Sequence, residues 1–100
     1  MATTTKALAR TAAATTSTTL YTVPSATTTV ITNIAVTNTA GTAGTFTITL
    51  DGVALHTTAA IAANSTVYID LKQVLAATKI IAGLASATTI NFHISGVEIA

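Results

Sequence analysis

The sequence predicts an all-β fold: an antiparallel two-sheet β-sandwich, jelly-roll or immunoglobulin-like, with seven or eight short strands. Three observations carry this. Phe46, Ile48 and Leu50 alternate with Thr45, Thr47 and Thr49, a period of two that puts every large apolar side chain of the segment on one face. Turn-forming pairs such as Asp51-Gly52 and Asn64-Ser65 punctuate the chain at the intervals expected of a sandwich. About a quarter of the residues are threonine, which keeps β propensity on an outward face without charge and can pair across strands through its hydroxyl.

Residues 1–17 are Thr/Ala-rich and carry one large aliphatic side chain, Leu8, together with Lys6 and Arg10. They read either as a frayed end or as an extended N-terminal arm that orders on a neighbouring subunit. The second reading divides the chain into an arm, 1–17, and a sandwich domain, 18–100. It makes Lys6, Leu8 and Arg10 the candidate partner contacts. Residues 18–23 form a strand that Pro24 ends, because proline has no N–H for a ladder.

Residues 28–52 (TTVITNIAVTNTAGTAGTFTITLDG) read as the central hairpin. Val30, Ile34 and Val36 share a face in its first strand, and Gly41 and Gly44 supply the conformational freedom of the connection. Val53 and Leu55 share a face of the next short strand, and Ile61 lies in a loop or covered edge. Val67, Ile69 and Leu71 then alternate against Tyr68 and Asp70. Asp70-Leu71-Lys72-Gln73 has the spacing of a capping box, which predicts one short helical turn near 71–77. Ile80 and Ile81 form a strand stopped by Gly83. Ile90, Phe92 and Ile94 point inward in the last strand. Val97 and Ile99 have the opposite parity, so a β-bulge is expected at Ser95-Gly96.

Composition narrows the function. One hundred residues make one domain able to bury a core without staples. There is no cysteine, hence no disulfide framework and no thiolate metal site. Charged residues are 7% and the net charge is +1, with the four basic residues scattered, which argues against a nucleic-acid partner. Mean hydropathy is +0.68, but the most apolar window, 74–85, is interrupted by Thr78 and Lys79 and is too short to span a bilayer, so no membrane role is expected. Lys6 and Arg10 precede no leucine-rich run of the kind a signal peptide has. So sparsely charged a surface is poorly protected against self-association, and suits a protein covered by neighbours.

The reactive side chains do not form a site on paper. Asp70 reads as a cap and Asp51 as a turn residue, so a pair of carboxylates for glycoside hydrolysis is not expected. His93 and Ser95 share the outward face of one strand without a nucleophile elbow. His56 and His93 lack the further ligands a zinc ion needs. No cofactor motif is present, and the expectation is no enzyme. Tyr21 and Tyr68 are the remaining aromatic candidates, read as interface rings because Phe46 and Phe92 belong to the core pattern.

Residues 19–24 (TLYTVP), 31–39 (ITNIAVTNT), 45–55 with Asp51-Gly52-Val53, 61–65 (IAANS) and 93–98 (HISGVE) resemble small β-sandwich virion proteins of tailed bacteriophages. The likeness covers about 18–100 and rests on turns, registers and a bulge. It implies a capsid decoration (cement) or tail-associated protein without catalytic residues. The expectation is therefore a structural virion protein, assembled in the host cytoplasm. It would bind the major capsid protein or other virion proteins as a homo-oligomer, with a trimer favoured. A module recognising host glycans, at the tail or on the head, is the alternative; a bacterial surface module is less favoured, since no export segment is visible.

Overall fold

The chain pairs with itself as a ribbon folded at its middle. In the computed structural model, which describes residues 2–100, eight strands run β1 Thr3–Ala12, β2 Thr18–Thr22, β3 Thr28–Asn38, β4 Gly44–Leu50, β5 Val53–Ile61, β6 Ser65–Leu75, β7 Ile80–Ala85 and β8 Ile90–Ile99. β1 pairs with β8, β2 with β7, β3 with β6 and β4 with β5, all antiparallel. Rolling this ribbon adds β3·β8 and β4·β7 and yields two four-stranded sheets, β1-β8-β3-β6 and β2-β7-β4-β5. Eight strands split in this order between two facing sheets make a jelly roll, which resolves the two sandwich topologies left open by the sequence.

β4 and β5 are the one pair of consecutive strands that are hydrogen-bonded neighbours. Asp51 and Gly52 join them with φ of 53° and 74°, the paired positive values of a two-residue hairpin whose twist matches the strands. The expected hairpin over 28–52 is therefore corrected: β3 and β4 lie in different sheets, and 39–43 is a crossover. Asn38 anchors it from within. Its amide nitrogen donates to the carbonyls of Thr42 (2.8 Å) and Ala62 (3.3 Å), and its side-chain oxygen accepts from the Ala40 N–H (3.0 Å). Gly44 is needed for space, since a Cβ there would stand 2.8 Å from Ile90 Cδ1.

The core is the space between the sheets. Phe46, Ile48, Ile31, Ile34, Val36, Ile61, Ile81, Ile90, Phe92 and Ile94 fill it, with Phe46 and Phe92 meeting edge-on at 6.4 Å. The alternation read in 46–50 and 90–94 thus marks the inner face. Val30 does not: the extra residue Thr32 shifts the register of β3, so Thr29 and Ile31 share the inner face with Ile34 and Val36. β8 itself runs regularly. The bulge expected at Ser95-Gly96 sits instead in its two partners, at Thr32 of β3 and Leu8 of β1.

Three further expectations are corrected. No helical turn forms near 71–77, because Gln73, Val74 and Leu75 pair with Ile31, Val30 and Thr29 and extend β6. A single turn has a costly nucleus, and the β3 ladder offers the same backbone groups partners at once. Gly83 lies inside β7, facing the core. The described part of 1–17 is not a free arm, since Thr3–Ala12 pairs with β8 along its length. The sandwich therefore begins at β1.

Candidate functional site

Two constellations of polar side chains are built by this fold. The first closes one end of the sandwich. Tyr21 of β2 is 9% exposed, and its hydroxyl donates to the carboxylate of Glu98 on β8. A tyrosine has one hydroxyl proton, so at the 2.9 Å contact with Thr29 Oγ1 the threonine is the donor. Lys6 Nζ stands 3.4 Å from Glu98 Oε2 and completes a chain across β1, β8, β3 and β2. The hydrogen bond from Tyr21 is the first cause holding the Glu98 carboxyl below its ordinary 4.5; Lys6 acts the same way and burial opposes both. Burial, then the bond to Glu98, raises the Tyr21 hydroxyl above its ordinary 10.0, with Thr29 opposing. Every member is satisfied, and the arrangement ties the two sheets together.

The second constellation lies on the outer face of the sheet β1-β8-β3-β6. Register alone assembles it. Arg10 pairs with His93, His93 with Ala35 and Ala35 with Tyr68, one residue from each strand in a line across the sheet. The next line toward the Tyr21 end is Ala7, Ser95, Asn33 and Asp70, and beyond it Thr5, Val97, Val30 and Val74. On the other side lie Ala12, Asn91, Thr37 and Thr66, with the two threonine hydroxyls 3.2 Å apart. Tyr68 is 74% exposed and Val74 66%. Adjacent strands are ~4.8 Å apart, so Tyr68 and His93 flank Ala35 at roughly 10 Å.

The opposite face, on β2-β7-β4-β5, is plainer. Thr45, Thr47 and Thr49 project outward beside Thr19, Ala54, Ala60 and Ala82, with Ile80 and Leu84 half-buried among them. It carries neither charge nor aromatic ring. An open groove of about 290 Å³ runs between the edges of β1 and β2, lined by Ala9, Arg10, Thr11, Ala14, Thr18 and Leu20 among others. Arg10 is its one ionisable group, so it offers no acid–base pair.

The five residues singled out from the sequence are dispersed. Lys6 is engaged with Glu98. Leu8 is 8% exposed and turned into this chain's own core, and its burial helps to hold β1 in place. Arg10 is exposed on the outer face. Tyr21 is an internal tie rather than an interface ring, because its hydroxyl finds partners inside the sandwich. Tyr68 stands on the outer face beyond Ala35. Sequence reasoning missed the roles of Thr29 and Glu98, which depend on a contact between residues 21 and 98. The grouping of Arg10, His93 and Tyr68 was likewise hidden, since strand order alone makes them neighbours.

The remaining reactive groups stay apart. Asp51 sits in the β4–β5 turn, 3.7 Å from Lys79. Asp70 lies on the outer face of one sheet, while Glu98 points inward at its end. His56 packs on Phe46 inside the sandwich at 5.8 Å, whereas His93 faces outward. Among the described residues no group of three metal-ligating side chains forms. No helix among them is long and apolar enough to cross a membrane. No family model matches the chain, and no curated protein matches it either.

Proposed function

We propose that this protein is a structural, non-enzymatic component of a bacteriophage virion, a capsid decoration protein bound to the major capsid protein of the head as a homo-oligomer. The observation that supports this reading best is the jelly roll with an uncharged Thr/Ala face on β2-β7-β4-β5. The jelly roll is an architecture that viral capsid domains use. Hydroxyl groups on a dry, even surface can meet carbonyls of a shell without the cost of stripping water from charges. The bacteriophage likeness of residues 19–24, 45–55 and 93–98 points the same way. With β1 built into the sheet, attachment falls to this face rather than to a loose arm.

The test is decoration of undecorated phage heads by the purified chain, read by co-sedimentation. Saturable binding is expected, and Thr49→Lys, which sets a charge on this face between Ala82 and Ala54, should abolish it while leaving the fold intact. Absence of binding to heads, or recovery of the protein with separated tails, overturns the reading.

A second reading, recognition of host glycans, has one observation in its favour: the exposed ring of Tyr68 among Asn33, Asp70 and His93. A sugar can stack on such a ring and bond the amide and carboxylate beside it. Binding on a glycan array that Tyr68→Ala removes would support this role.

A further inference from the structure

We infer that the outer face of β1-β8-β3-β6 is a twofold interface that binds a second copy of this chain. The inference rests on what register places in each line, and holds whatever the oligomer attaches to. A twofold axis running along the strands between β8 and β3 sets β1 over the partner's β6 and β8 over the partner's β3. Each four-residue line then meets its own reversed copy.

The lines are complementary to their reversals. Arg10-His93-Ala35-Tyr68 places the Arg10 guanidinium on the Tyr68 ring of the other copy, and the bulky His93 over the small Ala35. Both contacts occur twice, as an isologous interface requires. Arg10 also comes within a side chain's reach of the other copy's Asp70, one line away. In Ala7-Ser95-Asn33-Asp70, the Ser95 hydroxyl meets the Asn33 amide. In Thr5-Val97-Val30-Val74, Val97 meets Val30, forming four valines beside the axis, and Thr5 covers the exposed Val74. Two of the three large apolar side chains exposed in the monomer, Tyr68 and Val74, thereby acquire partners.

The size fits. Four strands at ~4.8 Å and ten residues at ~3.3 Å give roughly 600 Å² per copy. About 1,200 Å² in all lies at the lower edge of stable interfaces. Sheets stacked this way sit ~10 Å apart with aligned strands, the same spacing as inside the sandwich. A threefold assembly, as expected from the resemblance, would need two different patches. This face complements itself.

Sedimentation equilibrium of the full chain tests the inference, with a dimer expected. Tyr68→Lys alters a side chain that makes no fold contact of consequence. It should weaken the dimer at least about tenfold by setting like charges opposite Arg10. Arg10→Glu alone should weaken it too, and the double variant Arg10→Glu/Tyr68→Lys should recover most of the affinity. Residues 10 and 68 of one chain are three strands apart, about 14 Å, so such rescue is intermolecular. Thr49→Lys on the other face should leave the dimer unchanged even where it stops head binding. A monomeric or trimeric wild type, a dimer indifferent to Tyr68→Lys, or charge variants without rescue overturns the inference. So do intact dimers whose Tyr68→Lys variant loses a glycan or the capsid instead, since the face then belongs to that ligand.

Discussion

Leu8 lies over Gly96 so closely that a methyl group on the glycine would stand 2.9 Å from Leu8 Cδ1 and would collide with the carbonyl oxygen of Val30. The bulge in β1 turns Leu8 inward at the point where β8 has no side chain. β2 repeats the device. Its own extra residue, Leu20, occupies the space over Gly83 of β7, with Cδ1 2.9 Å from a hypothetical methyl. β1 and β2, two of the four edge strands, are thus each held by a leucine seated on a neighbour's glycine.

Gly96→Ala should therefore destabilise the fold by about 2–3 kcal/mol, in the range of overpacked cores. Gly83→Ala should cost less, because the atom its methyl would crowd most is the flexible end of Leu20, whereas at Gly96 it is the backbone carbonyl of Val30. Denaturant unfolding of both variants checks the order. A Gly96→Ala midpoint equal to wild type would mean that Leu8 does not occupy this seat.

Phe92 is fully buried against Phe46 at the centre of the sandwich. Phe92→Ala should lower stability by about 3–5 kcal/mol. An unshifted thermal melt would show that the inward register of β8 is wrong.

Burial of Tyr21 together with its bond to Glu98, and that bond's effect on the carboxylate, make stability depend on pH at both extremes. The folded state holds the Glu98 proton less tightly than the unfolded chain, so this contribution is present above 4.5 and is lost as pH falls through the lowered value. Tyr21 behaves oppositely. Its raised value makes its contribution complete below 10.0 and lost as pH climbs through it. Unfolding measured across pH should show a plateau between these limits, and Tyr21→Phe should flatten both flanks. Identical flanks in that variant would uncouple the hydroxyl from the proton balance.

Thr78 holds φ at 70°, a left-handed conformation that a β-branched residue rarely adopts, while its N–H donates to the Val23 carbonyl at 3.0 Å. Asparagine tolerates that conformation. Thr78→Asn should stabilise by about 0.5–1 kcal/mol, a fraction of the left-handed penalty. A lower melting temperature would show that the threonine methyl contributes more than its backbone costs.

What the sequence made legible is the part of the fold written in local alternation. Phe46 to Leu50 and Ile90 to Ile94 sit on regular strands facing a dry core, so their period survives in the structure. Val30 was misplaced because the extra residue Thr32 leaves no mark in composition. Residues 71–77 offered a plausible cap, and a tertiary ladder overrode it. The arm was misread for a related reason: β1 has one large apolar residue, Leu8, and joins the sheet through a ladder to β8, which no local pattern announces. The candidate face was least visible of all, since Arg10, Tyr68 and His93 are distant in sequence and fall in one line only through strand order.

The position of β8 between β1 and β3 has a consequence for biogenesis. β1 is synthesised before the other seven strands and its ladder partner after them, so a nascent chain carries an unpaired Thr-rich strand until all eight have left the ribosome. At ~5–20 residues per second that interval lasts several seconds. During it, early strands on neighbouring polysomes can find each other, and slow, dilute expression should therefore raise the soluble yield.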